Sequence, residues 1–431
     1  MTAPAELWPG RIHAPDSLTP DHLASLTDVA DETPLPDDHR AADRIWEAAE
    51  HWYQAGTQPG IGVCLRVDGE VILDRAIGHA RGVVVRAADG APPAGSGSGE
   101  ALEPFRTDTP VCVFSSAKAM ASTVLHMLIE RGDLRLSDRV DDLIPGYGAH
   151  GKSRTTIDHV LTHRAGVPIP TGPRVDLRRS EDSAYTRAML SQLRPIYPPG
   201  TLHFYHALTW GPLVREIVAA ATGRGIRDVL AEEILDPLGF RWTNFGVRPD
   251  DVPLVAPSHP TGPPSGGMAD AAFTRVVGGT LAKTVERANT PAFLTGVVPS
   301  SNAVSTAHEL SRFAELLRRG GELDGHRVLW PATVRAAVRQ RRRLRPDVAT
   351  GGAPLRWGTG FMLGSQRSGP FGRDAPAAFG HTGLTQIAMW ADPQRRLSAA
   401  VVSTGKPTDH PESDRYGALL DTVNRMIPKT S

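Results

Sequence analysis

Apolar positions recur at helical spacing early in the chain. Ile45, Ala49 and Trp52 share one face and Gly56 supplies a stop, predicting an amphipathic helix over roughly 39–55. The pattern then changes to that of strands. The run Ile61–Val67, the pair Asp68-Gly69 and the run Glu70–Asp74 read as a β-hairpin. The apolar stretch Val111–Phe114 leads into Ser115, after which Ala117, Ala121, Val124, Leu125, Leu128 and Ile129 fall on one helical face until Gly132 stops it. That helix is expected to be mostly buried. No strand alternation shows between about 133 and 300, where a short helix is predicted at 155–163 and a longer one near 209–222, ended by Gly223. Strand signals return at Arg356–Leu363, at Leu384–Trp390 and, past the turn Asp392–Arg395, at Leu397–Val402. A closing helix over 413–427 carries Tyr416, Leu419, Leu420, Val423 and Ile427 on one side.

These segments group into an extended lead-in (1–38), a sheet domain built from 39–132 and 301–431, and an inserted mainly helical region (133–300). The expected fold class is α+β, an antiparallel sheet flanked by terminal helices, with a site at the seam between sheet and insert. Residues 81–108, with Pro92-Pro93 and Gly95–Gly99, read as a surface loop without chemistry.

Composition narrows the partner. The 431 residues carry 47 basic and 47 acidic side chains, so no basic field exists to hold nucleic acid, and a small molecule is the expected partner. The start of the chain lacks a basic end followed by an apolar stretch, and no segment approaches a membrane span. A soluble, cytoplasmic protein is therefore expected. Cys64 and Cys112 each sit in an apolar run and are expected as buried free thiols. Only five of the 47 basic residues are lysines, at 118, 152, 283, 406 and 429, which makes each lysine informative.

One of them stands three residues after a serine at a helix start. A serine hydroxyl needs an adjacent base, and a lysine made neutral by burial can serve where arginine, with pKa above about 12, could not. Ser115-Ser-Ala-Lys118 fits that requirement, with the N–H of Ser115 placed to meet developing negative charge. The spacing recurs at Ser403-Thr-Gly-Lys406, but there a strand end and Pro407 follow and no helix aims the pair. No serine lies in Gly-x-Ser-x-Gly, which leaves an α/β-hydrolase elbow unsupported. His159 and His163, four apart, lack the glutamate of a zinc protease. No metal or cofactor is implied.

The order Ser115-x-x-Lys118, Tyr205, His381-Thr382-Gly383 resembles the serine β-lactamase and penicillin-binding-protein superfamily, and more closely the class C-like family VIII carboxylesterases. The resemblance runs through Leu161–Gly166, Pro199–Thr201, Tyr205–Leu208, Asp236–Gly239 and Phe379–Gly383. It implies a class C β-lactamase-like fold, Tyr205 as second proton carrier, His381 in the slot of the superfamily's Lys-Thr-Gly lysine, and Leu384 N–H as second oxyanion donor beside Gly383 and Thr382. Two departures matter. Ala207 stands where the Tyr-x-Asn motif has its amide, and His381 is a weaker anchor for a drug's carboxylate than lysine. Both favour a small neutral ester, cleaved through an acyl-serine, over a β-lactam or peptide. A β-lactamase or D,D-peptidase, a transacylase using the same residues, and a silent binding module are the alternatives.

Overall fold

The computed structural model describes residues 10–35, 38, 40–85, 101–170, 176–262, 268–340, 345–346, 354–407 and 413–430. The predicted hairpin forms the middle of the main sheet. Strand Gly60–Val67 turns at Asp68 (φ 53°) and Gly69 (φ 94°) into strand Glu70–Arg81, the paired positive φ values matching the right-handed twist of the strands. Across the sheet the order is Thr27–Val29, Glu70–Arg81, Gly60–Val67, Leu397–Ser403, Ala388–Asp392, Phe379–Thr382, Met362–Leu363, Pro354–Trp357 and Arg345–Pro346, antiparallel throughout. Early and late parts of the sequence thus meet where Val63 pairs with Val401.

Both faces of this sheet are buried, and period-2 alternation assigns each side chain to one of them. Ile61, Val63, Leu65, Trp390, Leu397, Ala399 and Val401 point to a core shared with Trp52 of helix Ala41–Tyr53 and Leu419 and Val423 of helix Ser413–Met426. Cys64, Met389, Ala391, Ala400 and Val402 point the other way, into a larger core with helices Ala307–Arg318 and Ala117–Arg131 and with Trp210, Leu213 and Ile217 of helix Trp210–Thr222. The observed architecture is the α+β arrangement read from the sequence.

Four local expectations change. The lead-in is not wholly extended: helix Pro20–Leu26, capped by Thr19, runs into strand Thr27–Val29, which covers the edge of Glu70–Arg81. Part of the expected loop 81–108 is also paired, since Glu103 and Pro104 continue the sheet, while residues 86–100 lie outside the described residues. Arg356–Leu363 is two strands with a bend at Gly358–Phe361. Leu384 opens no strand; residues 383–387 are a turn and pairing resumes at Ala388. In the strand cases it is the partner strand alongside that sets where pairing begins and ends.

Among the described residues no helix is long and apolar enough to cross a membrane. Cys64 and Cys112 are buried free thiols. Cys64, Asp74 and His308 place ligand atoms within 4.8 Å of one another. Asp74 Oδ2 lies 2.6 Å from His308 Nδ1, and Arg66 Nη2 donates to His308 Nε2 at 2.9 Å. The arrangement is an internal hydrogen-bonded group with a guanidinium beside it.

Candidate active site

Ser115 is not the first residue of its helix. The helix runs Ala117–Arg131 and ends at Gly132, whose left-handed φ of 87° closes it, while Ser115 and Ser116 form the entry turn. Phe114, immediately before, is held at φ 47°, a conformation non-glycine residues seldom adopt. This kink leaves Ser115 partly exposed at the seam, whereas Lys118 one turn on is fully buried.

Lys118 Nζ lies 3.2 Å from Ser115 Oγ, 2.8 Å from Ser300 O and 3.3 Å from Ala207 O. Burial holds its pKa well below that of an ordinary lysine. A neutral amine has two N–H groups, which the two carbonyls accept, and one lone pair, which remains for the serine proton. The geometry therefore suits a base. Ser300 can come this close because Gly211 has no side chain; a Cβ there would sit 2.5 Å from Ser300 Oγ.

His381 occupies the strand Phe379–Thr382 and pairs with Met389. Its Nδ1 lies 2.8 Å from Thr382 O, which assigns the proton to Nδ1 and leaves Nε2 an acceptor, buried and without a hydrogen-bond partner among the described residues. Burial first, then the nearby Lys118, lowers its pKa to about 3, so the ring is uncharged at neutral pH. Ser116 Oγ donates to His381 O at 3.2 Å, fastening the serine turn to this strand. Gly383 closes the gap further: a Cβ would lie 2.6 Å from Val113 O. The turn that follows, carrying Leu384, has Thr385 at φ 39° and Gln386 at φ 48°, with Gly383 N–H donating to Ile387 O. Thr382 is partly exposed and its hydroxyl donates to Met362 Sδ at 3.4 Å.

Tyr205 lies on the loop before helix Trp210–Thr222, with Lys118 Nζ 4.9 Å above its ring and the His381 ring centroid 6.1 Å from its own. The fold thus brings Ser115, Lys118, Tyr205, His381, Thr382, Gly383 and Leu384 from three separate stretches to one seam. Tyr197, the other tyrosine close by in sequence, packs instead with Phe204 and Val276.

Two further residues belong to this group. His163, beyond the end of helix Ile157–Leu161 and at φ 54°, packs 4.6 Å from Tyr205 and accepts the His206 N–H on Nδ1 at 3.1 Å. Trp357 stacks 5.8 Å from Tyr205 and meets His163 at 4.8 Å. The Leu161–Gly166 stretch pointed to His163 only as part of a resemblance. No sequence signal singles out Trp357, because its strand could have faced either core.

A sheet and helical region with a serine paired to a buried lysine at their junction define the class of penicillin-recognising serine hydrolases. Within it, the chain belongs to the β-lactamase family, whose sequence model, described as Beta-lactamase, matches residues 46–424. The Esterase/beta-lactamase LipL of Mycobacterium tuberculosis is 29% identical over 320 residues, 69% of this chain and 70% of that protein. A penicillin-binding protein homolog from Caulobacter crescentus shares 27% identity at a TM-score of 0.72, covering 92% of this chain and 100% of its own. A family VIII carboxylesterase shares 25% identity at 0.73 with the same coverage.

Proposed function

We propose that the protein hydrolyses small carboxylic esters through an acyl-serine intermediate. The observation that carries the proposal is Lys118, buried, its pKa held by burial well below that of an ordinary lysine, 3.2 Å from the Ser115 hydroxyl and within hydrogen-bond reach of the carbonyls of Ser300 and Ala207.

The Ser115 proton moves to Lys118 as Oγ attacks the ester carbonyl carbon, and the oxyanion is held by the N–H groups of Ser115 and Leu384. The carbon–oxygen bond to the leaving alcohol breaks, and Tyr205, resupplied by Lys118, protonates the alkoxide. Water then attacks the acyl-serine, returning the proton to Ser115 and releasing the acid. His381 Nε2 offers an acceptor that orients Tyr205 or the leaving group.

Two features favour esters over β-lactams. Ala207 offers no side-chain amide to an acylamino group, and a histidine with a pKa near 3 carries no charge to pair with a drug's carboxylate. A largely apolar cavity of about 140 Å³ has Phe114, the residue before Ser115, in its wall with Met189, Leu208, Val277, Phe293 and Val298, and is the space we assign to an acyl or alkoxy chain.

Labelling with a fluorophosphonate and peptide mapping tests this: modification is expected at Ser115, with turnover of p-nitrophenyl esters far above that of a chromogenic cephalosporin. Label elsewhere, or full ester turnover by Ser115→Ala, overturns it. An added alcohol acceptor shows whether acyl transfer competes with hydrolysis.

A further inference from the structure

The second Ser-x-x-Lys stretch lies under the active-site turn. Ser403 is 1% exposed and Lys406 is fully buried, so neither reaches a substrate. Lys406 Nζ donates to Ser403 O at 2.6 Å and to Ser403 Oγ at 3.4 Å, and Ser403 Oγ in turn donates to Gln386 O at 3.0 Å. Gln386 is gripped again through its side chain, whose Oε1 accepts from Gln58 Nε2, while Gly405 N–H donates to Gln58 Oε1 at 3.0 Å. On its other side Lys406 Nζ stands 5.5 Å from the Phe114 ring centroid.

Phe114 and the pair Thr385-Gln386 are the strained, left-handed segments that flank Ser115 and follow Leu384. Both converge on one lysine. We propose that Lys406 is a positioning residue that clamps the two halves of the oxyanion pocket together, the Phe114–Ser115 kink through its ring contact and the Gly383–Ile387 turn through Ser403. The proposal rests on the ester-hydrolase reading above and deepens it.

Stability alone does not account for this lysine. Among the described residues no carboxylate pairs with it, and an apolar side chain would fill the same space without desolvating an amine. Burial lowers its pKa to about 7, and the titratable groups beside it are Cys112, pushed up to about 12, and His259, lowered to about 4. Neither is charged at neutral pH. The amine's hydrogen bonds go to the segment that holds Gln386, and a strained turn keeps its shape only where its surroundings over-determine it.

The test compares wild type, Lys406→Met, Ser403→Ala and Ser403→Thr. Active sites are counted with a fluorophosphonate, ester kinetics are measured per titrated site, and inhibition by an alkyl trifluoromethyl ketone reads the tetrahedral oxyanion directly. The clamp predicts that Lys406→Met and Ser403→Ala lower kcat per site by at least about 10-fold and weaken the ketone by a similar factor, with KM nearly unchanged. Ser403→Thr, which keeps the hydroxyl, retains most of both. Should Lys406→Met fail to fold, the Ser403 pair decides. Unchanged kcat and inhibition per site, with only the number of active sites reduced, overturns the clamp. Absence of label at Ser115 in the wild type overturns the ester reading and the clamp with it, which separates the two failures.

Discussion

In the proposed mechanism Lys118 is the residue on which the chemistry turns, and its state can be tested by pH. Its folded pKa is lowered by burial, so the base form exists at pH values where an ordinary lysine, near 10.4, would be protonated. In a profile of kcat/KM for a p-nitrophenyl ester, activity is therefore expected to rise with pH through that lowered value and to be flat well before about pH 10. An acid limb sitting at the pKa of a free lysine would contradict the assignment. Lys118→Met removes the amine without burying a new charge and is expected to lower kcat by roughly 10³-fold or more, with the fold intact by circular dichroism. The cost to stability is confined to the carbonyls of Ser300 and Ala207, which lose a donor.

Elements position these residues through close contacts that only glycine allows. Gly383 and Gly132 make a useful pair. At Gly383 a methyl group would meet Val113 O at 2.6 Å, so Gly383→Ala must push the turn carrying Leu384 away from the strand that leads to Ser115. At Gly132 nothing lies within 4 Å and only the left-handed φ of 87° is strained. Gly132→Ala is thus expected to cost about 1 kcal/mol of stability in urea unfolding and to leave kcat unchanged. Gly383→Ala is expected to lower kcat by about 10²-fold. Equal effects of the two on activity would show that the close approach at Gly383 has no part in forming the site.

At the scale of the whole molecule, the seam encloses imidazoles that the folded state keeps neutral. Burial lowers the pKa of His381 to about 3 and of His259 to about 4, and holds His163 well below the usual 6.5. In the unfolded chain each would bind a proton from about pH 6.5 downward. The unfolded state therefore holds more protons in the window below that pH, and stability falls as pH drops from about 6.5 towards 4. A melting temperature lower at pH 5 than at pH 7 is expected, within a range where ordinary carboxylates are still ionised. The double mutant His259→Gln, His163→Gln should flatten that slope; an unchanged slope would place the acid sensitivity elsewhere.

Much of this was written locally. Hairpin residues 61–74, the buried helix ended by Gly132, the terminal helices and the alternation in Leu397–Val402 follow from spacing and composition, because period and turn chemistry are properties of neighbouring residues. Ser115, Lys118 and the order of Tyr205 and His381 after them could likewise be read along the chain. Other features could not. The Thr27–Val29 edge strand, the two-strand form of Arg356–Leu363 and the turn at Leu384 depend on which strand lies alongside. His163 and Trp357 join Tyr205 only because the insert folds back onto the sheet. The two Ser-x-x-Lys stretches make the contrast sharpest. Sequence separated them by the helix that follows one and the proline that follows the other. Tertiary structure put Ser115 partly exposed at a seam and buried Ser403 behind it, because accessibility is decided by what the rest of the chain packs against.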